Sequence, residues 1–135
     1  ASFTHMAAAN SAYEIEAARM AQQMSRDAEV LSFAQQMITD HTRATQTLTT
    51  AAQQAQVSVD KTLTAMQREN LDRLRAASGT GFDTQYASQM VMTHEKAAAL
   101  LSGYQQSGEA APLRMWAQNT LPVIRMHLDM ARDLP

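Results

Sequence analysis

A histidine within the apolar stripe of a long amphipathic segment constrains this chain more than any other feature. From Val30 to Leu48, apolar residues recur every three or four positions, which is the spacing of one face of an α-helix. His41 lies in that face, between Met37 and Ala44. Burying an imidazole without a partner costs on the order of 1–3 kcal/mol. A fold that buries this face must therefore supply a partner for His41.

The composition favours helices along the whole chain. Its 135 residues are enough for one domain with a substantial core, and 45 % of them are hydrophobic against 18 % charged. Ala, Gln, Leu and Met are abundant, whereas only four Gly and three Pro occur. We find no strand pattern and no repeat in the sequence. It therefore predicts a single all-α domain over residues 1–135.

Several classes of function are disfavoured by composition and charge. The net charge of -2 comes without a basic patch, which argues against binding to nucleic acid. Because cysteine is absent, the chain has no disulfide, no thiolate metal site and no thiol nucleophile. No apolar run approaches the roughly 18 residues of a transmembrane segment. The sequence opens on Ala1 rather than Met, so we expect a processed form.

The first two predicted helices are antiparallel neighbours. The first spans Phe3 to Met24, and the second is capped by Ser25 or Asp27 and runs to about Ala55. The connection between them is too short for any other arrangement. We predict that these two helices form a four-helix core with the fourth and fifth helices, and that the third is the return connection.

The remaining three helices are delimited by caps, glycines and prolines. We expect the third over Thr62 to Ser78, the fourth over Phe82 to Ser107, and the fifth from the first turn at Pro112 to about Leu134. We expect Ser58 or Asp60 to cap the third helix, and Gly79 and Gly81 to end it. Thr80 should cap the fourth helix, and Pro122 should kink the fifth.

Three histidines are predicted to converge in the core. His41, His94 and His127 each fall near the centre of an apolar stripe, on the second, fourth and fifth helices. Counting along the helices places all three, with Glu14 of the first helix, within about five residues of one level, or roughly 8 Å. Helical bundles build metal sites from facing side chains in this way. His5, near the start of the chain, is expected to be exposed.

Two interpretations of the histidines stay open. Three imidazole nitrogens with one carboxylate or water suit Zn²⁺, Cu²⁺ or Fe²⁺, so we predict ligands at His41, His94 and His127. Glu14 is a weaker candidate for a fourth ligand, and Glu16 is the alternative residue for that position. The alternative is that each histidine is structural and hydrogen-bonds to a hydroxyl or carbonyl, which is the usual role of a single core histidine.

The residues around the histidines give weaker evidence for a metal site than the histidines themselves. Asp40 lies at the edge of its stripe, where it can support a ligand, whereas Glu95 is expected to face solvent. The ten methionines indicate core filling and surface scatter, since they form no dense motif for Cu(I). Trp116 and Tyr13 are interpreted as packing residues.

Four segments carry a resemblance to a known family. They read FTHMAAANSAYEIEAARMA, FAQQMITDHTRA, FDTQYASQMVMTHEKAAAL and LRMWAQNTLPVIRMHLDMA. From Phe3 to Ala131 the chain resembles the exported bacterial family numbered 4142 among the domains of unknown function. The resemblance implies a ferritin-like helical bundle secreted to the periplasm or the outer-membrane side. It implies a fold and a compartment but no activity.

The chain departs from ferritins proper at one motif. Di-iron bundles carry paired Glu-x-x-His motifs. Here the residues three positions before the core histidines are Ile38, Val91 and Ile124. Without carboxylates at these positions, a bridged di-iron oxidase or an iron-storage site is disfavoured.

The sequence therefore leads to one main functional hypothesis and two alternatives. The main one is an exported, periplasmic bundle that binds or senses a transition metal such as zinc, copper or iron through three histidines. The first alternative is a non-catalytic cell-envelope interaction or stress module with structural histidines. The weaker one is a small metalloenzyme that uses an open coordination position. The sequence names neither the metal nor a protein partner nor an oligomeric state.

Overall fold

The computed structural model describes residues 2–135 and contains five helices. They are α1 (Phe3–Met24), α2 (Ala28–Gln54), α3 (Ala65–Ala76), α4 (Gly79–Ser107) and α5 (Ala111–Arg132). No strand occurs in this part of the chain. The all-α prediction is confirmed. None of the helices within residues 2–135 combines the length and apolar character that crossing a membrane requires.

Four of the helices form a ring around the core. α1 packs against α2 and α4, and α5 packs against the same two helices from the opposite side. α3 lies outside the ring, where it contacts α1 and α4. This is the predicted division into a four-helix core and a connecting helix.

The connectivity includes one long crossover. The Trp116 indole donates to the Ala44 carbonyl, and His127 contacts Asp40, so α2 and α5 run antiparallel. Since short turns join α1 to α2 and α4 to α5, α2 and α4 are parallel, and residues 55–78 return the chain between them. One long crossover is the connectivity of ferritin-like folds. It supports the ferritin-like classification, which stays a prediction.

The start of α3 differs from the prediction because of a capping box. The Thr64 hydroxyl accepts a hydrogen bond from the Gln67 backbone N–H, and the Gln67 side chain accepts one from the Thr64 N–H. This reciprocal pair satisfies two N–H groups that helix starts leave unpaired. The helix therefore begins at Ala65 and not at Thr62, and neither Ser58 nor Asp60 is its cap.

The predicted boundary between α3 and α4 is wrong. α4 begins at Gly79 after the N-cap Ser78, so Gly79 and Gly81 lie in its first turn instead of ending α3, and Thr80 is no cap. Gly79 has a φ of 57°, in the left-handed region that glycine adopts without steric cost. It permits the tight reversal from α3 into α4.

The other helix ends lie close to their predicted positions. α1 spans Phe3–Met24 as predicted, and Asp27 is the cap of α2, since its carboxylate accepts from two backbone N–H groups. α5 ends at Arg132, two residues before the predicted end. Pro122 lies inside α5 as expected, while the kink there stays a prediction.

A polar layer divides the core of the bundle into two apolar clusters. The cluster toward the turn between α1 and α2 contains Phe33 and Tyr86, and the cluster toward the turn between α4 and α5 contains Leu101 and Trp116. On each helix that carries a core histidine, that residue lies between members of the two clusters: Met37, His41 and Leu48 in α2; Met90, His94 and Ala97 in α4; Ala131, His127 and Ile124 in α5. The three histidines thus meet at mid-height.

Candidate metal centre

The structure brings the three predicted histidines together. His41, His94 and His127 are between 0 and 1 % exposed. Their ring centroids are 5.7 Å apart for His41 and His94, 5.4 Å for His41 and His127, and 5.3 Å for His94 and His127. Each ring offers one nitrogen, and these three atoms all lie within 4.8 Å of one another. Helices α2, α4 and α5 contribute one ring each.

Two of the rings are anchored by groups that only accept hydrogen bonds. His94 Nδ1 donates to the Met90 carbonyl at 2.8 Å, and His127 Nε2 donates to Asp40 Oδ2 at 2.8 Å. A backbone carbonyl and an ionised carboxylate have no proton to give. In the neutral rings the protons are therefore on these nitrogens, and the lone pairs are on His94 Nε2 and His127 Nδ1.

The third ring is anchored by a hydroxyl. His41 Nδ1 lies 3.0 Å from Ser11 Oγ, which is buried on α1. A serine hydroxyl can donate or accept, so this contact allows either tautomer. The tautomer with its proton on Nδ1 directs the Nε2 lone pair away from Ser11.

The opposite nitrogen of each ring has no hydrogen-bond partner among residues 2–135. These atoms are His41 Nε2, His94 Nε2 and His127 Nδ1, and all three are buried. Most buried polar side-chain atoms in proteins are paired, and an unpaired one costs about 1–3 kcal/mol. Three convergent lone pairs from neutral imidazoles are a ligand set for a transition metal.

The spacing of the nitrogens requires a small contraction around an ion. Zn–N bonds of about 2.0–2.1 Å place two nitrogens of a tetrahedral site roughly 3.3 Å apart. The three nitrogens here lie within 4.8 Å of one another. Binding would therefore draw the rings together by up to about 1.5 Å, a movement within reach of small side-chain rotations.

Burial favours the neutral form that a ligand needs. It lowers the pKa of His41 well below its usual value of 6.5, and the neighbouring His94 and His127 add to the effect because a second positive charge would be repelled. Burial also lowers the pKa of His127, although the hydrogen bond to Asp40 offsets part of that change. A metal ion that binds to His41 and His127 would thus meet little proton competition at neutral pH.

A family model described as "Domain of unknown function (DUF4142)" matches residues 1–134. The chain belongs to the DUF4142 family. The predicted resemblance is confirmed. Searches of curated proteins and of solved structures found no match. The family description states no function, so the chemistry of this DUF4142 domain has to be argued from its own site.

Glu14 contacts the cluster at His94, on the side of the ring that faces away from the other two histidines. It is 0 % exposed, accepts a hydrogen bond from Thr93 Oγ1 at 2.9 Å, and places Oε2 3.4 Å from His94 Nδ1. That nitrogen is the anchored one. Glu14 therefore lies outside the group whose ligand atoms approach one another. Glu16, its predicted substitute, is exposed on α1.

The electrostatic setting of Glu14 is mixed. Burial raises the pKa of this carboxyl, whereas His94 and the Thr93 hydroxyl act to lower it. That Glu14 is a metal ligand stays a prediction. The contacts of Glu14 favour a different role, in which its carboxylate orients His94.

Of the remaining sequence predictions for this DUF4142 domain, some are confirmed and one is wrong. Asp40 supports a histidine as expected, and Glu95 is exposed, with a carboxylate oxygen 3.6 Å from an Arg132 nitrogen. His5 is half-buried in the first turn of α1 rather than exposed, and it lies outside the cluster. Trp116 is a packing residue as predicted, with its indole N–H bonded to α2.

Sequence reasoning missed the supporting hydroxyls. Ser11 lies three positions before Glu14, on the face of α1 that carries small residues, and Thr93 directly precedes His94. A polar residue within a small-residue stripe was the available signal for Ser11. Nothing in the pattern distinguishes Thr93 from the exposed threonines of α2.

Proposed function

We propose that this domain binds one transition-metal ion through His41, His94 and His127 at the middle of its helical bundle. The observation that carries the proposal is the pairing pattern of the three rings. Each ring uses one nitrogen for a protein contact and directs the other, buried and without a partner among residues 2–135, toward its neighbours. Structural histidines of a core would be expected to satisfy both nitrogens.

The groups behind the ligands match the usual surroundings of a metal-bound histidine. Such a ring typically donates its second N–H to a carboxylate, a carbonyl or water, which orients it and raises its basicity. Asp40 serves His127, and the Met90 carbonyl serves His94 with Glu14 nearby. A negative charge on a carboxylate behind the rings would offset part of the charge of a divalent ion, although burial of Glu14 opposes its ionisation by raising its pKa.

The ligand set favours Zn²⁺, Cu²⁺ or Fe²⁺. Imidazole suits all three ions, whereas Cu(I) prefers thiolates and thioethers, and the chain has no cysteine to supply a thiolate. Three protein ligands leave a fourth position for water. The burial of all three rings favours an ion that stabilises or signals over one that turns over a substrate, because a substrate must reach the open position.

We also propose that the domain acts outside the cytoplasm. The resemblance to an exported family supports a periplasmic location. Fractionation of cells that express the protein from its natural gene tests it, and recovery in the cytoplasmic fraction alone would contradict it.

Metal titration of protein purified without affinity-tag metal tests the binding proposal. Chelator-treated wild type should bind one equivalent of Zn²⁺ and melt at a higher temperature when it is added. His94→Gln should weaken binding at least about 100-fold, and adding substitutions at His41 and His127 should cost less than the sum of the singles because one ion is shared. His5→Gln is the matched control and should bind like the wild type.

Two results would overturn the proposal. One is less than about 0.1 equivalents of bound metal with no thermal shift for Zn²⁺, Cu²⁺ or Fe²⁺. The other is wild-type affinity in the three single variants. Either result favours an envelope interaction module with structural histidines.

Glu14→Gln separates an orienting role from a ligand role. An orienting residue typically contributes about 10- to 100-fold to metal affinity. We therefore expect Glu14→Gln to retain one ion with affinity reduced in this range. A loss as large as that of His94→Gln would make Glu14 a ligand.

A further inference from the structure

The three histidines are buried too deeply for an ion to reach them directly. Each is between 0 and 1 % exposed, and most groups that anchor them are buried as well: Ser11 is 5 % exposed, and Glu14 and Met90 are 0 % exposed. Asp40 differs, because its side chain is 24 % exposed while its Oδ2 accepts a hydrogen bond from His127. Asp40 therefore lies between the His127 ring and solvent.

Asp40 lies in a surface groove between α2 and α5. The groove has a volume of about 390 Å³, and its lining includes Asp40, Arg43, Trp116 and Asn119. The bond to His127 uses Oδ2 of Asp40, and the longer contact from Gln36 uses the same atom. Oδ1 is thus the oxygen that can face a hydrated cation in the groove.

A second groove approaches the cluster from the opposite side. It lies between α1, α3 and α4, has a volume of about 540 Å³, and includes Thr93, which bonds to Glu14. The charged side chain in its lining is Lys96, and most of the other surface is apolar. A cation is repelled by Lys96 and finds no carboxylate among the residues that line this groove. Charge therefore favours the groove that contains Asp40.

We propose that the groove between α2 and α5 is the passage by which a divalent cation reaches the three histidines, attracted by the negative charge of Asp40. The inference rests on the proposed metal site. Asp40 has two tasks in this arrangement: it positions His127 through Oδ2 and attracts the ion through its negative charge. Arg43, in the same groove, opposes the ion and slows its arrival.

Association kinetics test the passage. Co²⁺ is the probe, because its visible absorption reports coordination by nitrogen ligands in a stopped-flow measurement. Removing one unit charge about 6 Å from the path of a divalent ion changes the association rate about tenfold in water at low salt. Asp40→Asn should slow association by about this factor while keeping an acceptor for His127, and Arg43→Gln should accelerate it by several-fold.

Two comparisons distinguish attraction from positioning alone. Both effects should shrink below about twofold at 1 M salt, where the Debye length is about 3 Å. Glu16→Gln removes the same charge from an exposed carboxylate that lines a different groove, between α1 and α2, and it should leave the rate unchanged. Positioning alone would raise the dissociation rate of Asp40→Asn and leave Arg43→Gln unaffected.

The outcomes separate this inference from the proposed function. If wild type binds no Co²⁺ and no Zn²⁺ at equilibrium, both proposals fail. If wild type binds one equivalent but Asp40→Asn and Arg43→Gln associate at its rate, the metal site stands and the passage is elsewhere. The same conclusion follows if Glu16→Gln slows association as much as Asp40→Asn.

Discussion

Replacing His41 and its partner by apolar residues should stabilise the metal-free protein. His41 is 1 % exposed, its Nδ1 contacts Ser11 Oγ at 3.0 Å, and its Nε2 is buried without a partner among residues 2–135. The double variant His41→Leu/Ser11→Ala removes all of these polar groups at once. Leucine occupies roughly the volume of histidine, so repacking should cost less than about 1.5 kcal/mol.

The magnitude follows from the hydrogen bonds. Relief of the unpaired nitrogen contributes about 1–3 kcal/mol, and loss of the bond to Ser11 costs about 0.5–1.5 kcal/mol. These two effects together raise the free energy of unfolding in chelator by about 1 kcal/mol, and the cost of repacking reduces that gain. Ser11→Ala alone should act in the opposite direction, because it leaves His41 Nδ1 unpaired as well, at a cost of about 1–2 kcal/mol.

Zinc should reverse the order of stability. At a free concentration of about 100 times the wild-type Kd, bound metal adds roughly 2.7 kcal/mol to the wild type and less than about 0.5 kcal/mol to the double variant, which lacks one ligand. Urea unfolding with and without chelator measures both differences. A double variant that loses about 2 kcal/mol or more in chelator, and gains as much from zinc as the wild type, would refute the reasoning.

Two further predictions concern pH and the connecting helix. The metal-free protein should lose stability as pH falls below about 6.5, because the pKa values of His41 and His127 are lowered by folding and the unfolded chain then binds more protons, up to about 2.7 kcal/mol per pH unit for two protons. A wild-type melting temperature that stays flat from about pH 7 to about 5 would contradict this expectation. Folding raises the pKa of Glu14 above 4.5, so this residue favours the folded state as pH falls, and Glu14→Gln should steepen the loss; an equal slope in Glu14→Gln and wild type would contradict that. Thr64→Ala removes the capping box of α3 and should cost about 1 kcal/mol without changing zinc affinity; an unchanged urea midpoint would contradict it.

The convergence of the histidines could be predicted because it depends on helix geometry alone. A rise of about 1.5 Å and a rotation of about 100° per residue fix the height and direction of a side chain once a helix and its apolar face are known. His41, His94 and His127 satisfy both conditions, and the structure places them within 4.8 Å of one another. Glu14 satisfies the condition on height equally well.

What could not be predicted is which side of a ring a neighbour contacts. An imidazole has two nitrogens, and its side-chain torsions decide which one faces the other rings. Glu14 is close to His94, yet it contacts Nδ1, which the Met90 carbonyl already anchors. Sequence spacing contains no information on that torsion, so it cannot separate a ligand from an orienting group.

The error at α3 has a different origin. Thr64 and Gln67 form the T-x-x-Q pattern of a capping box, so the signal was present in the sequence. Ser58 and Asp60 are also good caps, and local propensity does not rank such competitors. In the structure the segment before α3 is tied to α1 by a hydrogen bond from Thr4 Oγ1 to the Ser58 carbonyl, a tertiary contact that local propensity does not include.

The position of the histidine layer determines how metal binding acts on the fold. The proposed ligands come from α2, α4 and α5, and α1 joins them through Ser11 and Glu14, so all four core helices meet at this level. The layer also separates the two apolar clusters, which places unpaired nitrogens where burial would otherwise be continuous. An ion bound there would satisfy three nitrogens and hold all four helices together. Its effect should therefore appear in the cooperative unfolding of the whole bundle rather than in one loop or helix end.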